Sequence, residues 1–171
     1  ASTNDTFIVI NRMQIFDWQV STKIKPTRHK LNLPHFEYVV NNCRIADNKE
    51  IELTGYTKKS LINIYPNLED GLTGTQEHDI PFLVAGTQLV DDAVWYWFLA
   101  TPLVNHYWIR VTREAKNLIK KKKKQYQNKR HLVQVWSGHK ASISWLNILK
   151  FKEVSHYYVG NEKILIVENR I

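Results

Sequence analysis

Cysteine is nearly absent from this chain of 171 residues: Cys43 stands alone, so no internal disulfide can form. A single thiol fits a reducing compartment. A catalytic role for Cys43 would need a base set beside it, and no spacing places one there, so buried packing is the expected role. No run of 18 apolar residues occurs, which excludes a membrane-spanning helix. The first residues, Ala1-Ser-Thr-Asn-Asp5, lack the basic start and apolar stretch of a secretory signal. Glycine is sparse at six residues, and none falls between Thr101 and Thr112. Acidic residues are also in the minority, 16 against 24 Lys and Arg, for a net charge of +8. The hydrophobic share of 43% is enough for a real core and argues against global disorder.

The excess charge is local. Residues 110–130 hold ten basic side chains against Glu114 alone, or +9, so the rest of the chain sums to about −1. The ten are Arg110, Arg113, Lys116, Lys120, Lys121, Lys122, Lys123, Lys124, Lys129 and Arg130. The lysine run has three readings. It is a solvated helix end that suits the helix dipole, a phosphate-contacting surface, or a contact for an acidic protein neighbour. Five consecutive lysines point to all sides of a helix, so the surface would be general and not a reader of bases.

The stretch 85–151 organises the chain. Ala93-Val-Trp-Tyr-Trp-Phe-Leu-Ala100 is a continuous apolar run, as a strand covered on both faces requires. A helix is expected from near Thr112, with Ala115, Leu118 and Ile119 on one face. His131–Trp136 reads as a strand, and Lys140 to Leu149 as a helix after the Ser137-Gly138 turn. Strands alternating with helices imply β-α-β units and a largely parallel sheet.

Before that stretch, Phe7, Ile8 and Ile10, then Phe16 and Trp18, suggest two short strands. Residues 21–34, with Lys25, Arg28 and two prolines, suggest an extended arm. Residues 1–35 are therefore either an added hairpin with a surface loop or a docking arm for a neighbouring subunit, and the main domain is expected over 36–171. Phe36–Val40 reads as a strand, with Asp47 as a helix N-cap and one or two helices between Asn48 and Tyr65. Asn67–Asp79 is a loop by composition; its Glu69, Asp70, Glu77, His78 and Asp79 match no metal-ligand spacing, and no metal is expected. Ile80–Gly86 is a further strand, Asp91-Asp92 a hairpin connection, and 153–171 a closing hairpin about Gly160-Asn161.

The run Gly138-His139-Lys-Ala-Ser142-Ile-Ser-Trp145-Leu146-Asn-Ile-Leu-Lys150-Phe151 resembles the last helix of the GNAT (Gcn5-related N-acetyltransferase) fold. More narrowly, Val111–Phe151 resembles the short GNAT-like proteins of podoviruses, of internal virion or virion assembly type. The resemblance implies an α/β fold with a mixed central sheet flanked by helices, an N-terminal β or extended arm and a C-terminal β-hairpin. It also implies a virion component made in the host cytoplasm, with other virion proteins as partners in an oligomeric assembly and packaged DNA as a further contact.

The chemical positions depart from the family. Its Gly-rich pyrophosphate loop falls on Thr101-Pro-Leu-Val-Asn-His-Tyr-Trp-Ile-Arg-Val-Thr112, where Pro102 removes a donor and bulky side chains follow. The family Asn falls on His139, its general-acid Tyr on Leu146 and its final Gly on Lys150. Leucine cannot protonate a leaving thiolate. A GNAT-like fold without catalytic residues or cofactor is the leading expectation. The alternative is an N-acetyltransferase using acetyl-CoA, with the loop near Asn105, His106, Tyr107 and Arg110, together with His139, as its site. A basic nucleic-acid-binding accessory protein is the third.

Overall fold

Asn32 turns the chain into its first helix, where its side chain accepts the His35 N–H at 2.9 Å and Pro34 sits in the first turn. The computed structural model describes residues 26–65, 68 and 71–170. In chain order these form β1 (Thr27–Lys30), α1 (Leu33–Asn41), α2 (Ile45–Leu53), α3 (Lys58–Asn63), β2 (Leu72–Thr75), β3 (Pro81–Val90) and β4 (Ala93–Ala100). A 3-10 helix (Pro102–Tyr107), α4 (Trp108–Gln125), β5 (Arg130–Trp136), α5 (Lys140–Ile148), β6 (Phe151–Val159) and β7 (Glu162–Asn169) follow.

The seven strands make one mixed sheet in the order β1-β2-β3-β4-β5-β7-β6, flanked by helices as expected. The strand-helix alternation overstated the parallel content: among the described residues β4–β5 is the one parallel pair, and the other five are antiparallel. The reason is that β3–β4 and β6–β7 are joined by tight turns, at Asp91-Asp92 and Gly160-Asn161, and a tight turn can only reverse a strand. Asp91 (φ 52°) and Gly160 (φ +60°) supply the left-handed residues those turns need.

Residues 36–40 are helical and not a strand. Phe36, Val39 and Val40 recur at helical spacing and are all buried, and the Asn32 cap with Pro34 starts the helix ahead of them. Asp47 is not an N-cap either: α2 starts two residues earlier, with Arg44 at the N-cap position but no side-chain capping bond, and Asp47 lies in its first turn. The polar stretch expected as a loop contains β2, paired with β1 and β3. The basic helix begins at Trp108, four residues before Thr112.

β4 alternates between two cores. Tyr96 and Phe98 join the cluster beneath α4 and α5, with Val111, Ile119, Trp145 and Leu146. Trp97 and Leu99 face the cluster beneath α1 and α3, built on Phe36, Val39, Val40 and Val84. Burying each such side chain stabilises the fold by roughly 1.5–3 kcal/mol. The Trp145 indole N–H donates to Thr112 Oγ1 at 3.0 Å and its ring lies 5.0 Å from Trp108, which locks α5 against α4.

Candidate functional site: a cleft between parted strands

The one parallel ladder is short. β4 and β5 pair over three positions, Ala93–Arg130, Val94–His131 and Trp95–Leu132. The Tyr96 hydroxyl and His131 Nδ1, 2.8 Å apart, close this narrow end. Beyond it both strands continue, to Ala100 and to Trp136, without pairing to each other. The gap is a cleft of about 500 Å³ with Trp95, Phe98, Val135 and Trp145 on its walls.

Helix α2 lies across the wide end. Its entry supplies the Arg44 N–H, which donates to the Ala100 carbonyl at 2.9 Å. The Asp47 carboxylate accepts the Ala100 N–H at 3.3 Å. One turn on, Glu50 Oε1 accepts the Trp136 N–H at 2.9 Å. Asp47 and Glu50 share a helix face because they are three residues apart. One therefore reaches the end of β4 and the other the end of β5, satisfying edge groups that the interrupted ladder leaves bare.

Asp47 is the hub. Arg44 grips it with two hydrogen bonds, Nε to Oδ2 at 2.8 Å and an amino group to Oδ1 at 3.0 Å. His139 Nε2 donates to Oδ1 at 2.9 Å. That tautomer follows from the other ring nitrogen, Nδ1, which faces the Ser142 N–H at 3.4 Å as an N-cap acceptor for α5. Ser142 Oγ stands 2.9 Å from Nε2. Burial raises the Asp47 pKa, but hydrogen bonds from His139 and Arg44 outweigh it and hold the carboxyl below its ordinary value. Glu50 goes the other way: burial pushes it up to about 7, only partly offset by nearby His139 and the Trp136 N–H. The cleft thus ends on one fixed carboxylate and one carboxyl that titrates near neutrality.

Asp47, Glu50 and His139 bring ligand atoms within 4.8 Å of one another, a separation a metal ion could bridge. The Arg44 guanidinium is already on Asp47 and 3.3 Å from His139 Nε2. A fixed positive charge holds the position a cation would need, so the trio does not fit a divalent metal.

The residues expected to form a cofactor loop are dispersed. Tyr107 is buried, its ring 4.6 Å from Phe82 and its hydroxyl donating to Gln76 Oε1 at 3.1 Å. Asn105 and His106 are exposed on the 3-10 helix, and Arg110 pairs with Glu114. Of these only His139 touches residues that line the cleft, Asp47 and Ser142. Leu146, at the family's general-acid position, lines the cleft as an apolar side chain. Arg44, Asp47 and Glu50 were not singled out as site residues from sequence. Their spacing puts them on one helical turn, but the partners that give them meaning lie 53 to 95 residues away.

The basic segment divides, within α4 by helix phase and beyond it at Lys129 and at Arg130 of β5. Lys122 is buried, Lys123 donates to Asn169, Lys129 pairs with Asp92, and Arg130 makes two hydrogen bonds to Glu168. Arg113, Lys116, Lys120, Lys121 and Lys124 are exposed. Of the expected arm, Arg28 lies in β1 and pairs with Glu114. Phe7, Ile8, Ile10, Phe16, Trp18 and Lys25 lie outside the described residues. Cys43 is half-buried and burial raises its thiol pKa, which does not favour a nucleophile. No described helix is long and apolar enough to cross a membrane.

No family model matches the sequence, and no curated protein does. The fold does have solved counterparts. A GNAT-family acetyltransferase from Bacillus anthracis superposes with a TM-score of 0.60 at 12% identity, covering 85% of this chain and 96% of that one. The ribosomal-protein-S18-alanine N-acetyltransferase of Escherichia coli gives 0.62 at 16% identity, covering 86% and 96%. A spermidine N-acetyltransferase chimera from Vibrio cholerae gives 0.58 at 10%, covering 84% and 93%. At these identities the likeness is one of fold: the chain has a GNAT-like fold, and activity does not follow from it.

Proposed function

We propose that this chain is a GNAT-like scaffold that works by docking and not by acetyl transfer, in the virion assembly role that its sequence resemblance implies. The observation that carries the first half is the use of α2 to tie off the parted strands. An extended cofactor arm held between β4 and β5 needs bare strand-edge groups at the wide end. Ala100 N–H, Ala100 C=O and Trp136 N–H are already bonded to the chain's own helix.

The residues present also do not fit a coenzyme A pyrophosphate. Such a group needs free backbone N–H donors at a helix start with small residues around them. Here the 3-10 helix Pro102–Tyr107 runs straight into α4 with no loop between, and Val104 and Tyr107 of that segment are core. The leucine at the general-acid position has no proton to give a leaving thiolate. The virion half of the reading rests on the resemblance of Val111–Phe151. Purified particles of the cognate phage that lack this chain, with assembly normal in its absence, would sink it.

The acetyltransferase reading keeps one observation in its favour: Glu50, titrating at about 7, at the end of a cleft of about 500 Å³. Titration calorimetry with acetyl-CoA separates the two. The docking reading expects no saturable heat at millimolar ligand and no thermal shift. A ligand at one hundred times its Kd would stabilise a native site by about 2.7 kcal/mol. Saturable binding that Glu50→Gln or Trp136→Ala weakens would overturn the docking reading.

A further inference from the structure

We infer that the exposed face of α4 is a docking stripe for the phosphate backbone of double-stranded DNA. The inference rests on the docking reading above and names its partner. Arg113, Lys116, Lys120 and Lys124 stand at i, i+3, i+7 and i+11 of α4. At 3.6 residues per turn these four lie within about 80° of one another, along a line of about 16 Å. All four are exposed, and none has a side-chain hydrogen bond or ion pair to another described residue.

The neighbouring cations make the contrast. Lys122, Lys123, Lys129 and Arg130 turn to partners within the fold, and Arg110 pairs with Glu114. Glu114, the lone acid of α4, is taken by Arg28 and Arg110 and does not neutralise the stripe. The fold therefore engages most of the other cations and leaves a straight row, with exposed Lys121 beside it, facing solvent.

The composition of the row selects the partner. Protein interfaces are depleted of lysine and anchored by aromatic residues, and this row has three lysines and no aromatic. Single-stranded nucleic acid is held by stacking on aromatic side chains, which the row also lacks. A duplex offers a stiff rod with about one negative charge per 1.7 Å, which a rigid row of point charges can follow without reading bases.

The test is fluorescence anisotropy of the full chain with a labelled 20-base-pair DNA duplex of arbitrary sequence. Four phosphate contacts predict a log–log salt slope of about −3.6, or a loss of roughly 150-fold between 50 and 200 mM salt. The K116E/K120E/K124E variant should lose at least ~100-fold at low salt, on the same slope argument. The charge-matched K30E/K59E/K140E variant, on exposed lysines elsewhere, should lose less than about tenfold by the long-range field alone. Thermal melts matching the parent show that both variants are folded. Equal losses in the two variants, or no binding at 50 mM salt, overturn the proposal. Polyglutamate binding as tightly as the duplex also overturns it in favour of an acidic protein, and leaves the docking reading standing. Acetyl-CoA binding, by contrast, removes the docking reading itself.

Discussion

His139 at the start of α5 and Asp47 in α2 are held 2.9 Å apart with 3% and 1% of their side chains exposed. The pair ties the helix that closes the cleft to the helix after β5. Asp47 is also the buried partner of the Arg44 guanidinium at 2.8 Å, so removing the carboxylate leaves that charge unmatched and the His139 N–H without an acceptor, at a cost of about 3–5 kcal/mol. Asp47→Ala should therefore lower Tm by roughly 10 °C, at 2–4 °C per kcal/mol for a chain of this size.

The same carboxyl sets an acid limit. The Asp47 pKa is lowered in the fold from an ordinary 3.8. Its contribution to stability is present above the unfolded value and is lost as pH falls through the folded one. Melts from pH 6 to pH 2 should show the gap between parent and Asp47→Asn narrowing below about pH 4. A gap that stays constant to pH 2 would show that Asp47 carries no charge-dependent stability.

Glu50 has the opposite sign. Its carboxyl is pushed up to about 7 from 4.5, so the folded chain holds the proton longer than the unfolded one. Stability should fall as pH rises from about 4.5 to about 7 and then level off, by about 1–3 kcal/mol. Glu50→Gln keeps an acceptor for the Trp136 N–H and has no charge to bury. It should match the parent at pH 5 and melt several degrees higher at pH 8. A benefit equal at both pH values would mean that the cost of Glu50 is not its ionisation.

These two carboxylates mark where the sequence could be read and where it could not. The apolar run of β4, the turn at Gly160 and the apolar phase of α4 depend on neighbours within a few residues, and those elements were legible. Phe36-Glu-Tyr-Val-Val40 misled because β-branched and aromatic side chains favour strands locally, while the Asn32 cap and the 36/39/40 spacing decided for a helix. β2 is hidden because Leu-Thr-Gly-Thr carries no apolar alternation. The cleft end was invisible for a different reason. Asp47 and Glu50 are ordinary helix acids until the fold brings Ala100, Trp136 and His139 to them.

The α4–α5 contact offers a test on one atom. Thr112 Oγ1 accepts the Trp145 indole N–H at 3.0 Å and donates to the Trp108 carbonyl at 2.8 Å. Thr112→Val keeps the shape and removes the acceptor, leaving a buried indole N–H unsatisfied. A loss of about 1–3 kcal/mol is expected in denaturant titration. A loss below 0.5 kcal/mol, the scatter of ordinary surface changes, would mean that the indole finds another acceptor.

The lysine run gives a comparison in which residue type is constant and only helix phase varies. Lys122 is 2% exposed, its amine 3.4 Å from Gln125 Oε1 and 5.7 Å from the centre of the Tyr126 ring. Lys121 is exposed. Each Lys→Glu change alters net charge by the same amount, so a difference between them reports burial and not global electrostatics. Lys121→Glu should change stability by no more than about 0.5 kcal/mol, as surface substitutions do. Lys122→Glu puts an acid where an amine was packed and oriented, and should cost about 3 kcal/mol or more. Duplex-DNA affinity should respond in the reverse order: Lys121→Glu, beside the exposed row, weakens it. Lys122→Glu, compared at a temperature where it remains folded, changes it less. Equal stability losses at the two positions would contradict the inward turn of Lys122, and with it the division of this run into packed and solvent-facing charges.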